Sequence, residues 1–180
     1  AALGEYLAGG YNVKSFVMIT LGTGIGSGII LDGKLIKGIN YAASELGHTV
    51  IKLGGEQCTC GRKGCFEAYA SATALIRDTR RLLLKRSNAV ESMHNNVGNM
   101  LERSEIWKLC DGDVGKIEAK HVFDAVKHED ELAKELFWNY TEYLAEGIAN
   151  IINILQPELV CIGGGVSKAG DMLLAPVKEK

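Results

Sequence analysis

Four residues of metal-binding type fall within one short stretch of the chain: His48, Cys58, Cys60 and Cys65. Thiolates with an imidazole suit tetrahedral Zn²⁺, and four protein ligands leave no open coordination position, so the expected site is structural. Gly61 and Gly64, inside CTCGRKGC, allow the backbone to wrap closely round a metal. The competing readings are a redox pair or incidental thiols. Cys58 and Cys60 stand two positions apart, which strains any disulfide between them. Cys110 and Cys161 stand alone, and five cysteines in this distribution do not make a disulfide framework. Zinc is favoured over both alternatives.

Two glycine runs are the next candidates, GTGIGSG at 22–28 and IGGGVS at 162–167. Glycines let successive backbone N–H groups converge on an anion such as a phosphate. A dinucleotide fingerprint is ruled out. Counting from Gly22 and Gly24, its third glycine position holds Ser27, and an apolar strand with an Asp32-Gly33 turn follows where a helix is required. The G-x-x-x-x-G-K-[ST] pattern is also missing. Taken alone, each run is as consistent with a tight turn as with a phosphate loop. Two such runs at two strand ends favour one nucleotide between them. Glu45 and Glu67 flank the metal ligands, and by themselves read as surface carboxylates.

The elements that must position these groups can be read from periodicity. Ser15–Leu21 is a short apolar run, as expected for a strand buried on both faces. Residues 28–31 and 34–37 form a hairpin about Asp32-Gly33, whose residues suit the positive φ angles of a type I′ turn. Thr49–Leu53 is expected as a further strand. Helical spacing runs from Glu67 to about Lys85, from Lys120 to Lys127, and from about Asp130 to Leu155. The last carries Leu132, Leu136, Phe137, Tyr140, Leu144, Ile148, Ile151, Ile152 and Leu155 on one stripe and stops at Gln156-Pro157. Glu158–Ile162 is expected as a buried strand running into the second glycine run, with a helix after it. Residues 86–116 read as a polar, variable insertion with weak helical signal around Ile106, Trp107 and Leu109. The pattern predicts a mixed α/β layer fold with helices against a central sheet.

With 180 residues, 47% hydrophobic and 23% charged, the chain is expected to bury a globular core. A net charge of −2 offers no basic field for nucleic acid or anionic lipid. No membrane span or secretion signal is evident, and a cytoplasmic location is expected. AALGEYL at the start and DMLLAPVKEK at the end both carry helical patterns, so the chain is expected to be cut from a larger protein.

Taken in order, GTGIGSG, SELGH, CTCGRKGCFE and IGGGVSKAGD resemble the ROK family, bacterial sugar kinases and sugar-responsive repressors of actin-like ATPase (ribonuclease H-like) fold. The run H-x9-C-x-C-x4-C-x-E, from His48 to Glu67, is its most specific part. The resemblance implies Mg²⁺-ATP as co-substrate, with Gly22, Thr23, Gly24 and Gly26 at the phosphates and Gly163, Gly164, Gly165 and Val166 near the nucleoside. It implies a hexose held by Glu45, Glu67 and His48, the imidazole giving one nitrogen to zinc and the other to a sugar hydroxyl. Glu67 is expected to bear on the sugar and leave the glycine turn untouched. The family's proton-accepting aspartate belongs to a D-N-D-x-N element that is absent from this sequence and is expected to lie before Ala1. The N-terminal lobe is likewise absent, so no catalytic residue is assigned within 1–180. The implied parent is a glucokinase-like hexose kinase, with a sugar-sensing repressor as the alternative. A homodimer is expected from the same resemblance.

Overall fold

The computed structural model describes residues 1–92 and 104–180. At its centre lie β1 (Phe16–Leu21), β2 (Ile25–Leu31), β3 (Lys34–Leu35) and β4 (Leu159–Gly163), in the order β3-β2-β1-β4. β1 pairs antiparallel with β2 and parallel with β4, placing Leu21 opposite Ile25 and Thr20 opposite Gly163. Its unbroken apolar sequence follows from this central place, which buries alternate side chains on opposite faces. Val17, Ile19 and Leu21 enter the main core, while Phe16 and Met18 join Ile30 in a second cluster. The helix α1 (Ala2–Ala8) covers that second face with Ala2 and Tyr6, and the Tyr6 hydroxyl donates to the Val13 carbonyl at 2.8 Å. Asp32 and Gly33 have φ of 48° and 71°, in keeping with the type I′ hairpin.

The main core lies under α2 (Glu67–Ala70), α3 (Ala72–Ser92), α4 (Glu105–Leu109), α5 (Ala119–Lys127), α6 (Glu131–Leu155) and α7 (Asp171–Glu179). The stripe on α6 buries Leu132, Leu136, Phe137, Tyr140, Leu144, Ile148 and Ile151, whereas Ile152 falls on the exposed side. Each large apolar side chain so buried contributes about 1.5–3 kcal/mol, enough to anchor the helix along its length. Asp130 caps its start by accepting from the amides of Leu132 at 2.8 Å and Ala133 at 3.0 Å. Its end is set by Gln156, which turns left-handed with φ 42° before Pro157.

Three expectations need correction. Thr49–Leu53 is not a strand: Val50 makes one isolated bridge to Cys65, and the amides of Ile51 and Lys52 both donate to the Gly64 carbonyl. The segment folds back on its own loop and has no neighbouring strand to extend. The helix expected over 67–85 is broken at Ser71, whose backbone is extended (φ −90°, ψ 164°) and whose hydroxyl accepts from the Ala74 amide at 3.1 Å. Capping by Ser71 offers the backbone an alternative to a continuous helix. β4 is half-buried throughout, because it is the edge strand among the described residues. In the polar stretch 86–116 the weak helical signal around Ile106, Trp107 and Leu109 corresponds to α4; the stretch begins as the continuation of α3 and ends with a short turn, Val114–Lys116, and its middle, 93–103, lies outside the described residues.

Candidate functional site

The four candidate metal ligands converge. His48 ends a single 3₁₀ turn, Leu46–His48, and the three cysteines lie on the loop that follows. That loop is closed by its own backbone: the Cys58 amide donates to Arg62 O at 2.9 Å and the Gly61 amide to Cys58 O at 3.1 Å. One donor atom from each of His48, Cys58, Cys60 and Cys65 lies within 4.8 Å of all the others. Cys60 and Cys65 Sγ are 3.6 Å apart, and His48 Nδ1 is 3.5 Å from Cys58 Sγ. Ligands at the corners of a tetrahedral zinc shell stand roughly 3.5–3.8 Å apart, given Zn–S and Zn–N bonds of about 2.3 and 2.0–2.1 Å. The donor set and its spacing therefore fit Zn²⁺. Burial pushes the thiol of Cys65 up to about 12 and raises that of Cys58, while a backbone hydrogen bond from Arg62 lowers the exposed Cys60. Thiols held protonated in this way must release protons when they ligate.

The glycine run divides into two parts. Gly22, Thr23 and Gly24 make the tight connection between β1 and β2, whereas Gly26 lies inside β2 opposite Thr20. The Gly22 carbonyl accepts from the Ala72 amide at 2.9 Å, so the turn is tied to the first residue of α3. At the end of β4, Gly164 has φ 91°, and a Cβ there would strike the backbone of Leu21; no L side chain fits where the two strand ends meet. Gly22, Thr23, Gly165 and Val166 line a common cavity of about 490 Å³. Gly24, Gly26, Gly163 and Gly164 shape its surroundings without lining it. The cavity's other wall, Ile76 with Glu118, Lys120, Phe123, Asp124 and Lys127, went unread in the sequence. These residues belong to amphipathic helices and carry no motif of their own.

Glu67 opens α2 and meets both features. Its Oε1 lies 3.3 Å from Cys58 Sγ and accepts from the Thr59 hydroxyl at 3.1 Å, while Oε2 accepts from the Ile25 amide at 3.2 Å. The expectation that Glu67 leaves the glycine turn untouched is therefore wrong: its carboxylate holds the first amide after that turn. Phe66, fully buried beside it, packs on Gly147 of α6, and the Tyr140 hydroxyl donates to Ala70 O at 2.9 Å, fixing both ends of α2 on α6.

Glu45 is exposed and precedes the turn bearing His48, with its carbonyl accepting the His48 amide at 3.0 Å. Gly47 seats this turn against Ile25 at the start of β2. Ser27 ties it down from a second side, accepting from the Leu46 amide at 3.1 Å and donating to the Ser44 carbonyl. Nothing in the sequence singled out Ser27 for this, because the role depends on β2 bringing it beside a residue seventeen positions away. Ala1, before which the proton-accepting aspartate is expected, is exposed at the head of α1, and its carbonyl accepts the Glu5 amide at 2.9 Å. Its methyl side chain carries no group that could take a proton, so Ala1 marks a position in the chain and is not itself a site residue.

Among the described residues no helix is long and apolar enough to cross a membrane. The chain is 41% identical over 99% of its length to a glucokinase of Halalkalibacterium halodurans, of which the match covers 50%. It is 31% identical, again over 99% of its length, to a xylose repressor of Caldicellulosiruptor bescii, covering 41% of that protein. Among solved structures, a ROK family glucokinase from Streptomyces griseus in complex with glucose and AMPPNP matches with a TM-score of 0.83 and 35% identity, over 99% of this chain and 53% of that one. The chain thus spans about half the length of the glucokinases it matches. The ROK family model matches residues 1–180, which include the Cys₃His cluster, the glycine turns and Glu67, and with it the actin-like ATPase fold is assigned: the chain belongs to the ROK family.

Proposed function

We propose that the intact protein carrying this chain is an ATP-dependent hexose kinase of glucokinase type. One observation carries the reading: a single carboxylate, that of Glu67, touches both the Cys₃His loop and the glycine turn. Phosphoryl transfer requires the acceptor hydroxyl and the terminal phosphate to be held next to each other, and these two loops are the parts that would hold them. Similarity to the Streptomyces griseus enzyme, whose structure holds glucose and AMPPNP, supports this division of labour.

In this reading Mg²⁺-ATP occupies the cavity beyond the ends of β1 and β4, with its phosphates towards Gly22, Thr23, Gly24 and Gly26 and its nucleoside towards Gly163–Val166. Glu45 and Glu67 accept from sugar hydroxyls, since each carboxylate oxygen takes more than one donor. Zinc, held by His48, Cys58, Cys60 and Cys65, supplies rigidity to the loop and fixes the imidazole tautomer. His48 turns Nδ1 to the cysteines, which leaves Nε2–H to donate to the sugar. The group that takes the proton from the attacking hydroxyl belongs to a D-N-D-x-N element placed before Ala1, so this chain supplies binding and orientation. A second copy of the protein as its partner is part of the same proposal.

The test is a coupled assay of glucose phosphorylation. The intact protein should turn over glucose with ATP, and residues 1–180 alone should not, since losing a general base costs ~10²–10⁴ in rate before any loss of orientation is counted. Turnover by the 180-residue chain would place the base within it. The xylose repressor relative supports a second reading, a sugar-sensing repressor. Absence of phosphorylation together with sugar-dependent operator binding by the intact protein would establish that reading instead.

A further inference from the structure

We infer that Glu67 is a brace between the phosphate-side turn and the sugar wall, and that Gly24 is glycine because the brace occupies the space a side chain would need. The inference rests on the kinase reading for its consequence and on geometry for its substance. The two oxygens of Glu67 are divided between two loops: Oε2 holds the Ile25 amide at 3.2 Å and Oε1 holds the Thr59 hydroxyl at 3.1 Å. The Thr59 bond uses no cysteine proton, so ligation of a metal by the thiols does not remove its donor. A Cβ on Gly24 would stand 2.5 Å from Glu67 Oε2 and 3.5 Å from its Cδ. Gly24 is not among the residues with positive φ, so its backbone suits any amino acid. The constraint is the carboxylate itself. Thr23 and Glu67 also line one small cavity of about 90 Å³ together with Cys58 and Thr59, so the turn and the Cys₃His loop border the same space.

The consequence is a substitution in the phosphate turn that is read out at the sugar. In Gly24→Ala the new methyl displaces the Glu67 carboxylate from Ile25, and the acceptor offered to the hexose moves with it. Glu67 acts here as a positioning residue for the turn as well as a sugar contact. Shortening it in Glu67→Asp removes the clash but also withdraws the oxygen from Ile25, so the two changes cannot act independently.

The experiment uses the intact, zinc-loaded protein and calorimetric titration with glucose and, separately, with a non-hydrolysable ATP analogue. Gly24→Ala should weaken glucose binding by about tenfold or more, within the 5–150-fold range typical of coupled sites. The analogue measured without glucose should lose less affinity than glucose does, because the methyl displaces the Glu67 carboxylate while the backbone amides of the turn remain, and zinc content should be unaltered because none of the four candidate ligands is changed. The double variant Gly24→Ala/Glu67→Asp should lose less glucose affinity than the product of the single losses. A second measurement covers the case in which Gly24→Ala does not fold. Hydrogen exchange of the Ile25 amide should accelerate in Glu67→Asp, whose carboxylate no longer reaches it. Unchanged Ile25 exchange, a Gly24→Ala effect confined to the nucleotide, or independent losses in the double variant would each overturn the brace. Should the wild-type protein bind no glucose while Ile25 exchange accelerates in Glu67→Asp, the brace stands and the kinase reading fails.

Discussion

Replacing Gly147 by alanine opposes two effects of opposite sign, and the structure decides between them. Gly147 lies in the middle of α6, where alanine ordinarily stabilises a helix by about 0.5–1 kcal/mol. Here the added Cβ would come within 2.5 Å of Phe66 Cδ2 and closer still to Cζ and Cε2. The Phe66 ring is wholly buried, and its amide donates to Thr49 O at 2.8 Å, so neither ring nor backbone can move aside into solvent. Overpacking of this kind costs about 1–3 kcal/mol, which exceeds the helical gain and leaves a net loss of about 1–2 kcal/mol. Phe66 sits between the candidate metal ligand Cys65 and the brace Glu67, so its displacement should disturb both. In urea denaturation the midpoint should fall by about 0.5–1 M for a slope of about 2 kcal/mol/M, and zinc should be lost to a chelator faster than from the wild type. A Gly147→Ala protein as stable as the wild type, with zinc retained equally well, would refute the idea that α6 positions the site through this contact.

Two further predictions concern the frame around the site. Asp130→Ala should destabilise by about 1–2 kcal/mol in the same denaturation assay, because Oδ1 caps α6 while Oδ2 accepts from Ser104 and Glu105 at the start of α4; Asp130→Asn, retaining one acceptor, should fall between. Glu158 receives the amides of Ser15 and Lys14, and these bonds hold its carboxyl below the usual carboxylate range. A folded pKa below the unfolded one means stability that is present above the unfolded value and lost as pH falls through the folded one. Glu158→Gln should therefore be less stable than the wild type at neutral pH and show a shallower loss on acidification, as followed by thermal melting from pH 7 to pH 3.

How much of this protein its sequence determined varies with the range of the interaction involved. Local signals were sufficient for β1, the Asp32-Gly33 turn and α6, because apolar periodicity, turn residues and Pro157 act within a few positions. The Cys₃His cluster was legible for the same reason, being confined to 48–65 with donor types that have few other uses together. Residues that owe their roles to distant neighbours were not. Ser71 breaks a helix whose periodicity runs straight through it, Thr49–Leu53 has strand composition but no strand beside it, and β4 is apolar yet lies at the sheet edge. The cavity wall supplied by α5 and the tether at Ser27 depend on which elements the sheet order brings together. Glu67 shows the division most sharply: the family resemblance alone implied a sugar contact for it, but its hold on Ile25 exists only because the β1–β2 turn and the Cys₃His loop pack against the same carboxylate. Sequence spacing specifies which donors are available, whereas the space a neighbouring backbone leaves, as at Gly24 and Gly147, is fixed only once the elements have packed.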